Sequence, residues 1–310
     1  MPYDPTDARS ALPTATARKP AGAPTPASHV KWYELPPATT DGDTRTWYGR
    51  SQHLIIGYTD LVTPTGFTVP ATHADECAVL MPDPGTSATI TIGGTIGGEA
   101  TEIGGQTLTF IPPGAADVRL AGTGRVVTLF TARSGVTPGR AANEDAYTEP
   151  RPGVAPLVNW PDPVGGFRLR TYDLDVPGLA DPPFRIFRCT SFMVNFTHPR
   201  TGPRDTKRMS PHTHDDFEQC SLVIDGAYTH HLRYAWTTDL SQWLDDEHEK
   251  CGSPSLTIIP PPAEHTSQAT SEGVNHLIDI FSPPRTDFSR MDGWVLNAAD
   301  YPMPGDEATA

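Results

Sequence analysis

Pro211-His-Thr-His-Asp-Asp-Phe-Glu218 and, further along, Pro260-Pro-Pro-Ala-Glu-His265 are the stretches on which the reading of this chain turns. His212 and His214 are separated by one residue, so on an extended backbone they face the same side, and Glu218 has the same parity. His265 follows a rigid proline turn that can carry it back across a barrel to the same point. Imidazoles and a carboxylate brought together suit one divalent ion of the Fe, Mn, Ni, Cu or Zn group. Cys220 shares the parity but has no thiol partner nearby in sequence, which argues against a cysteine-rich zinc site.

Around these stretches, 34 Pro and 27 Gly punctuate short segments rich in Val, Ile, Thr, Phe and Tyr. His53–Tyr58, Ala88–Ile92, Leu108–Ile111, Arg185–Arg188, Cys220–Ile224 and Leu256–Ile259 read as half-buried or buried strands, and long amphipathic helices are nearly absent. One or two helical turns fit around Asp239–His248. The pattern repeats. Opening strands at Lys31–Leu35 and Arg168–Leu174 each precede an aromatic strand pair, a His-bearing segment at His73 or His212, and a strand entering a proline turn at Phe110–Gly114 or Ile258–Pro262. The expected organisation is an arm over 1–29, an all-β unit over 30–133, a linker over 134–162, a second all-β unit over 163–296 and a tail over 297–310.

The formal charge of −14 repels phosphate backbones and anionic lipid surfaces, so no nucleic-acid or membrane partner is expected. No run approaches the roughly 20 apolar residues of a membrane span. Cys77, Cys189, Cys220 and Cys251 form neither a C-x-x-C pair nor a dense disulfide framework, and a reduced, cytoplasmic setting is the default.

The two opening stretches resemble the paired signature motifs of the cupin superfamily. The first motif, His-x-His, three or four residues, Glu, about six residues, Gly, is met by His212, His214, Glu218 and Gly226, with one extra residue before the glycine. The second, Pro-x-Gly-x-x-His, is met by Pro260 and His265, with Pro262 in the glycine place; the usual following asparagine is Ala269. The resemblance implies two jelly-roll barrels in tandem, with one divalent metal per chain in the second. The first copy keeps the turn Pro112-Pro-Gly-Ala-Ala-Asp117 but has Asp117 and Asp75 where histidines belong, and Val79 near the acid position. The expectation is an N-terminal barrel without metal. The resemblance also implies a homodimer.

Three functions follow from such a site, since the fold alone does not select a reaction. The preferred one is a non-haem dioxygenase, with Fe(II) as the favoured metal, acting on a small aromatic or diketone-like molecule. Phe187, Phe192, Leu222, Ile224 and Leu277 are the expected apolar lining. The alternatives are a metal-dependent isomerase, epimerase or lyase acting on a sugar acid or small carboxylate, and a non-catalytic ligand-binding bicupin. Tyr228 and His230 are the candidate acid/base groups on the strand after Gly226, each with barrel filling as its bland competitor. Arg208 is the candidate anion-docking residue and Gln219 a candidate substrate contact.

Overall fold

The computed structural model describes residues 23–93, 98–136, 139–176 and 184–305. Each half of the chain is a pair of antiparallel sheets. In the first half a seven-stranded sheet runs Arg170–Asp173, Thr107–Ile111, Cys77–Met81, Gly124–Thr131, Leu54–Leu61, Thr44–Arg50, Thr39–Asp41, faced by a four-stranded sheet of Thr65–Val69, Ala116–Gly122, Thr86–Ile92 and Ala100–Gly104. In the second half Ser28–Val30, Ser255–Ile259, Gln219–Asp225, Val274–Phe281, Met193–Phe196 and Ile186–Arg188 form the path of the large sheet, with Arg200–Thr201 beside Val274–Phe281. Its smaller companion is Glu247–Gly252, Ala227–Arg233 and Glu264–Ala269. The architecture is two tandem β jelly rolls, as the sequence implies.

The two large sheets pack against one another, and this explains why their strands read as unbroken apolar runs. In Cys77–Met81, Ala78 and Leu80 enter a core shared by both halves, while Cys77, Val79 and Met81 fill the inside of the first barrel. In Gln219–Asp225, Cys220, Leu222 and Ile224 enter the shared core together with Phe187 and Phe192. Their alternates, Gln219, Ser221 and Val223, face the inside of the second barrel. Four of the five residues expected to line an apolar pocket therefore lie on the other face of their strands; Leu277 alone borders the cavity.

The halves exchange strands at their edges. Ser28–Val30 pairs antiparallel with Ser255–Ile259 of the second half, with His29 opposite Thr257, and Arg170–Asp173 pairs with Thr107–Ile111 of the first. The expected strand at Lys31–Leu35 is instead a 3-10 turn over Trp32–Glu34, which buries Trp32 in the shared core. Around Asp239–His248 the helical part is one short turn, Leu240–Gln242, before the strand Glu247–Gly252 begins. Most of the expected arm, residues 1–22, lies outside the described residues, and Asn297 and Tyr301 of the expected tail are buried.

Among the described residues no helix is long and apolar enough to cross a membrane. In the first half, Asp75 accepts hydrogen bonds from Thr131, Arg133 and Asn159, and Asp117 lies 3.5 Å from Arg119. His73 is buried with neither ring nitrogen hydrogen-bonded.

Candidate metal centre

After the proline turn, His265 runs antiparallel to His212, and the two exchange backbone hydrogen bonds of 3.1 and 2.9 Å. This bridge sets their imidazoles side by side with centroids 4.4 Å apart. His214 closes the triangle, 5.1 Å from His212 and 5.0 Å from His265. One nitrogen from each ring lies within 4.8 Å of the others, close enough for a single ion.

The protonation pattern fits such an ion. His212 Nδ1–H donates to the Ser210 carbonyl and His265 Nδ1–H to the Ala263 carbonyl, both at 2.9 Å, so each Nε2 carries a lone pair. The Gln219 amide nitrogen donates to Asp279 Oδ1 and Ser221 Oγ, both at 3.0 Å, which turns its oxygen toward His214 Nε2 at 2.8 Å and His265 Nε2 at 3.3 Å. The lone pair of His265 Nε2 therefore faces an oxygen lone pair with no proton between them. A cation resolves that contact. Burial, reinforced by Arg285 and the neighbouring histidines, lowers His214 to about 3 and His265 to about 4, so both rings are neutral ligands at ordinary pH.

Glu218 does not join the triad. Its carboxylate accepts from the Gln52 backbone N–H at 2.6 Å and from Tyr147 Oη at 2.9 Å, on the side of the first half, and burial raises its proton affinity. The parity argument fails because residues 215–217 form a bend instead of a continuous strand, so His214 and Glu218 are not in register. Gln219, expected as a substrate contact, stands next to the histidines. A sequence signal existed: counted with four residues after His214, the acid place of the motif is Gln219, and six residues then separate it from Gly226, removing the extra residue.

A cavity of about 710 Å³ opens from His212, His265 and Gln219. Arg200, Arg204, Arg208 and Arg285 line it, against Asp205 and Asp279. Arg208, the candidate anion-docking residue, is among the lining side chains. Arg204 is anchored on the carbonyls of Ser267 and Arg208, each at 3.0 Å, and burial followed by the charge of Arg200 lowers its pKa. Arg285 lies over Phe288, its Cζ 3.5 Å from the ring centroid, and its guanidinium is gripped by Asp287.

Tyr228 borders the cavity, and burial raises its hydroxyl pKa well above the usual range. His230 is fully behind the wall. Its Nδ1 meets the Oγ of Ser267, a cavity residue, at 2.9 Å, its Nε2 has no partner, and burial lowers it to about 3. Sequence reasoning missed Arg200, Arg204, Arg285 and Asp279. Asp279 had a signal, as a lone acid within the apolar strand Val274–Phe281; the arginines, dispersed in sequence, had none.

No family model matches the chain, and no curated protein matches it. Solved structures do. A point variant of the oxalate decarboxylase of Bacillus subtilis superposes with a TM-score of 0.54 at 12% identity, covering 85% of this chain and 81% of that one. The formate complex of oxalate decarboxylase from Lactobacillus farciminis gives 0.52 at 11% identity, covering 85% and 88%. AerE from Microcystis aeruginosa gives 0.50 at 8% identity, covering 79% and 95%. At these identities the likeness is one of fold.

Proposed function

From a chain with the tandem fold of the bicupins, we propose a cupin-type metalloenzyme in which His212, His214 and His265 hold one divalent ion and the adjoining cavity presents a small carboxylate to it. The reaction is of the lyase or isomerase type. One observation carries this reading: four arginines line the cavity beside the triad in a chain whose overall charge is −14. Guanidinium groups pair with carboxylates bidentately, and a local positive cavity in an acidic protein concentrates anions where the field is focused. The aromatic or diketone substrate rested on an apolar lining that lies largely in the shared core. The decarboxylases among the similar structures are in keeping with a small carboxylate.

When bound, the ion supplies Lewis acidity to a carboxylate or carbonyl oxygen. The other parts come from the chain. Arg204 and Arg285, already held by Ser267 and Asp287, orient the anion with little reorganisation. Tyr228, protonated at ordinary pH, donates a hydrogen bond or proton to it, and Gln219 keeps the histidines oriented through Asp279. The test is to load the protein anaerobically with Fe(II) or Mn(II) and offer mono-, di- and hydroxycarboxylates beside catechols and diketones. Carboxylate binding with release of CO2 or incorporation of solvent deuterium, without O2 consumption, is the expected result. O2 uptake with catechols or diketones and no response to carboxylates would reject it.

A further inference from the structure

The outer face of the small sheet carries a second pair of histidines that the central site does not use. His231 of the strand Ala227–Arg233 lies directly opposite His248 of the strand Glu247–Gly252. Their neighbours His230 and Glu249 point the other way, toward the barrel, so this pair looks outward. The two Nδ1 atoms are 2.8 Å apart and the rings meet at 64°, with centroids 4.9 Å apart.

The third partner decides the chemistry. His231 Nε2 lies 3.0 Å from Oε1 of Gln268, an atom that only accepts, so the ring proton of His231 sits on Nε2 and its Nδ1 carries a lone pair. Without metal, that lone pair takes the Nδ1 proton of His248. Moving the latter to Nε2 of the exposed His248 costs no buried contact and leaves two lone pairs converging. Imidazole nitrogens about 2.0–2.1 Å from one ion lie about 2.9 Å apart at a right angle and about 3.3 Å apart in a tetrahedron. The observed 2.8 Å is the length of the metal-free hydrogen bond, and an opening of about 0.1 Å reaches the right-angled arrangement. Asp246, two residues before His248, is held by Arg233 at 2.6 Å and leaves the remaining positions around such an ion to water.

We propose that His231 and His248, with Gln268 fixing the tautomer, form a second and external metal site for a square-planar or tetragonal divalent ion, Cu(II) or Ni(II). Two cis imidazoles with water oxygens in the remaining positions suit those ions, and the order of stability among first-row ions puts Cu(II) highest. The site is independent of the central triad, which is drawn from the exposed His212 and the buried His214 and His265.

Counting ions tests it. Cu(II) is titrated into the full chain and followed by its visible absorption and by nitrogen hyperfine structure in electron paramagnetic resonance. Two equivalents are expected for the native chain, one each for His248→Ala and His231→Gln, and one for His265→Ala with the two-imidazole signature kept. Two equivalents in both His248→Ala and His231→Gln would overturn the external site, as would a native chain binding a single equivalent that only His265→Ala abolishes. Two equivalents in His265→Ala, falling to one in His248→Ala, would overturn the central assignment while leaving the external one standing.

Discussion

Glu218 and Gln219, adjacent in sequence at the start of one strand, serve different partners: the carboxylate ties the second half to Gln52 and Tyr147, and the amide stands between His214 and Asp279. The two substitutions that exchange their charges therefore have different consequences. Glu218→Gln is expected to leave metal stoichiometry unchanged and to cost about 1–3 kcal/mol of stability, because an amide cannot accept both hydrogen bonds with the same geometry. Gln219→Glu sets a second carboxylate against Asp279. The metal-free protein should melt lower, and the affinity for Mn(II) should rise on the order of tenfold through the added ligand charge. Thermal melts in chelator and in Mn(II), with metal analysis, check both; loss of metal from Glu218→Gln would contradict the geometry.

Gly226 turns the chain between two strands at φ +75°, where a Cβ would sit 2.5 Å from both the Val274 carbonyl and Asn275 Oδ1. Gly226→Ala is expected to lower stability by at least about 2 kcal/mol, from backbone strain and the clash together. Urea unfolding gives the number, and a shift of the midpoint with an unchanged slope is the expected form.

If the cavity recognises carboxylates, Arg204→Met should weaken their binding by about 10- to 100-fold while metal content stays at the native level. Calorimetric titration of the Mn(II)-loaded protein with malonate and acetate measures it. Equal affinity in native and variant chains would remove Arg204 from recognition.

His29 anchors the exchanged strand through Glu247 at 2.9 Å and Thr257 at 3.1 Å. Burial works against its charge, but the Cys251 and Glu247 contacts outweigh it and raise the ring to about 9. Thr257 and the neighbouring His230 complete its surroundings, the latter a neutral ring. Since the folded value exceeds the unfolded one of 6.5, the contribution is fully present below pH 6.5 and is lost as the pH rises through about 9. The loss is bounded at about 3 kcal/mol. Melting temperatures of native protein should fall across that window relative to His29→Gln; parallel curves would disprove the coupling.

His212 and His265 were legible because one opens a signature of fixed spacing and the other ends one that follows a proline turn. Glu218 does not join them because parity holds only along unbroken strand, and residues 215–217 break it. The apolar lining failed for a different reason. A strand covered on both faces alternates apolar with apolar, so Leu222 and Val223 look alike until the partner sheet is known. Asp279 and Arg285 depend on long-range packing that no local window contains.

The edge exchange sets an order of events during synthesis. Residues 28–30 are made long before their pairing partners, residues 256–258. The first sheet likewise lacks its edge strand until residues 170–173 arrive. Contacts of such sequence separation form slowly, and an unpaired edge is open to other chains in the interval. The two halves thus become one folded object only after residues 256–258 are made, and a ribosome stalled between the halves carries a sheet edge awaiting residues not yet polymerised.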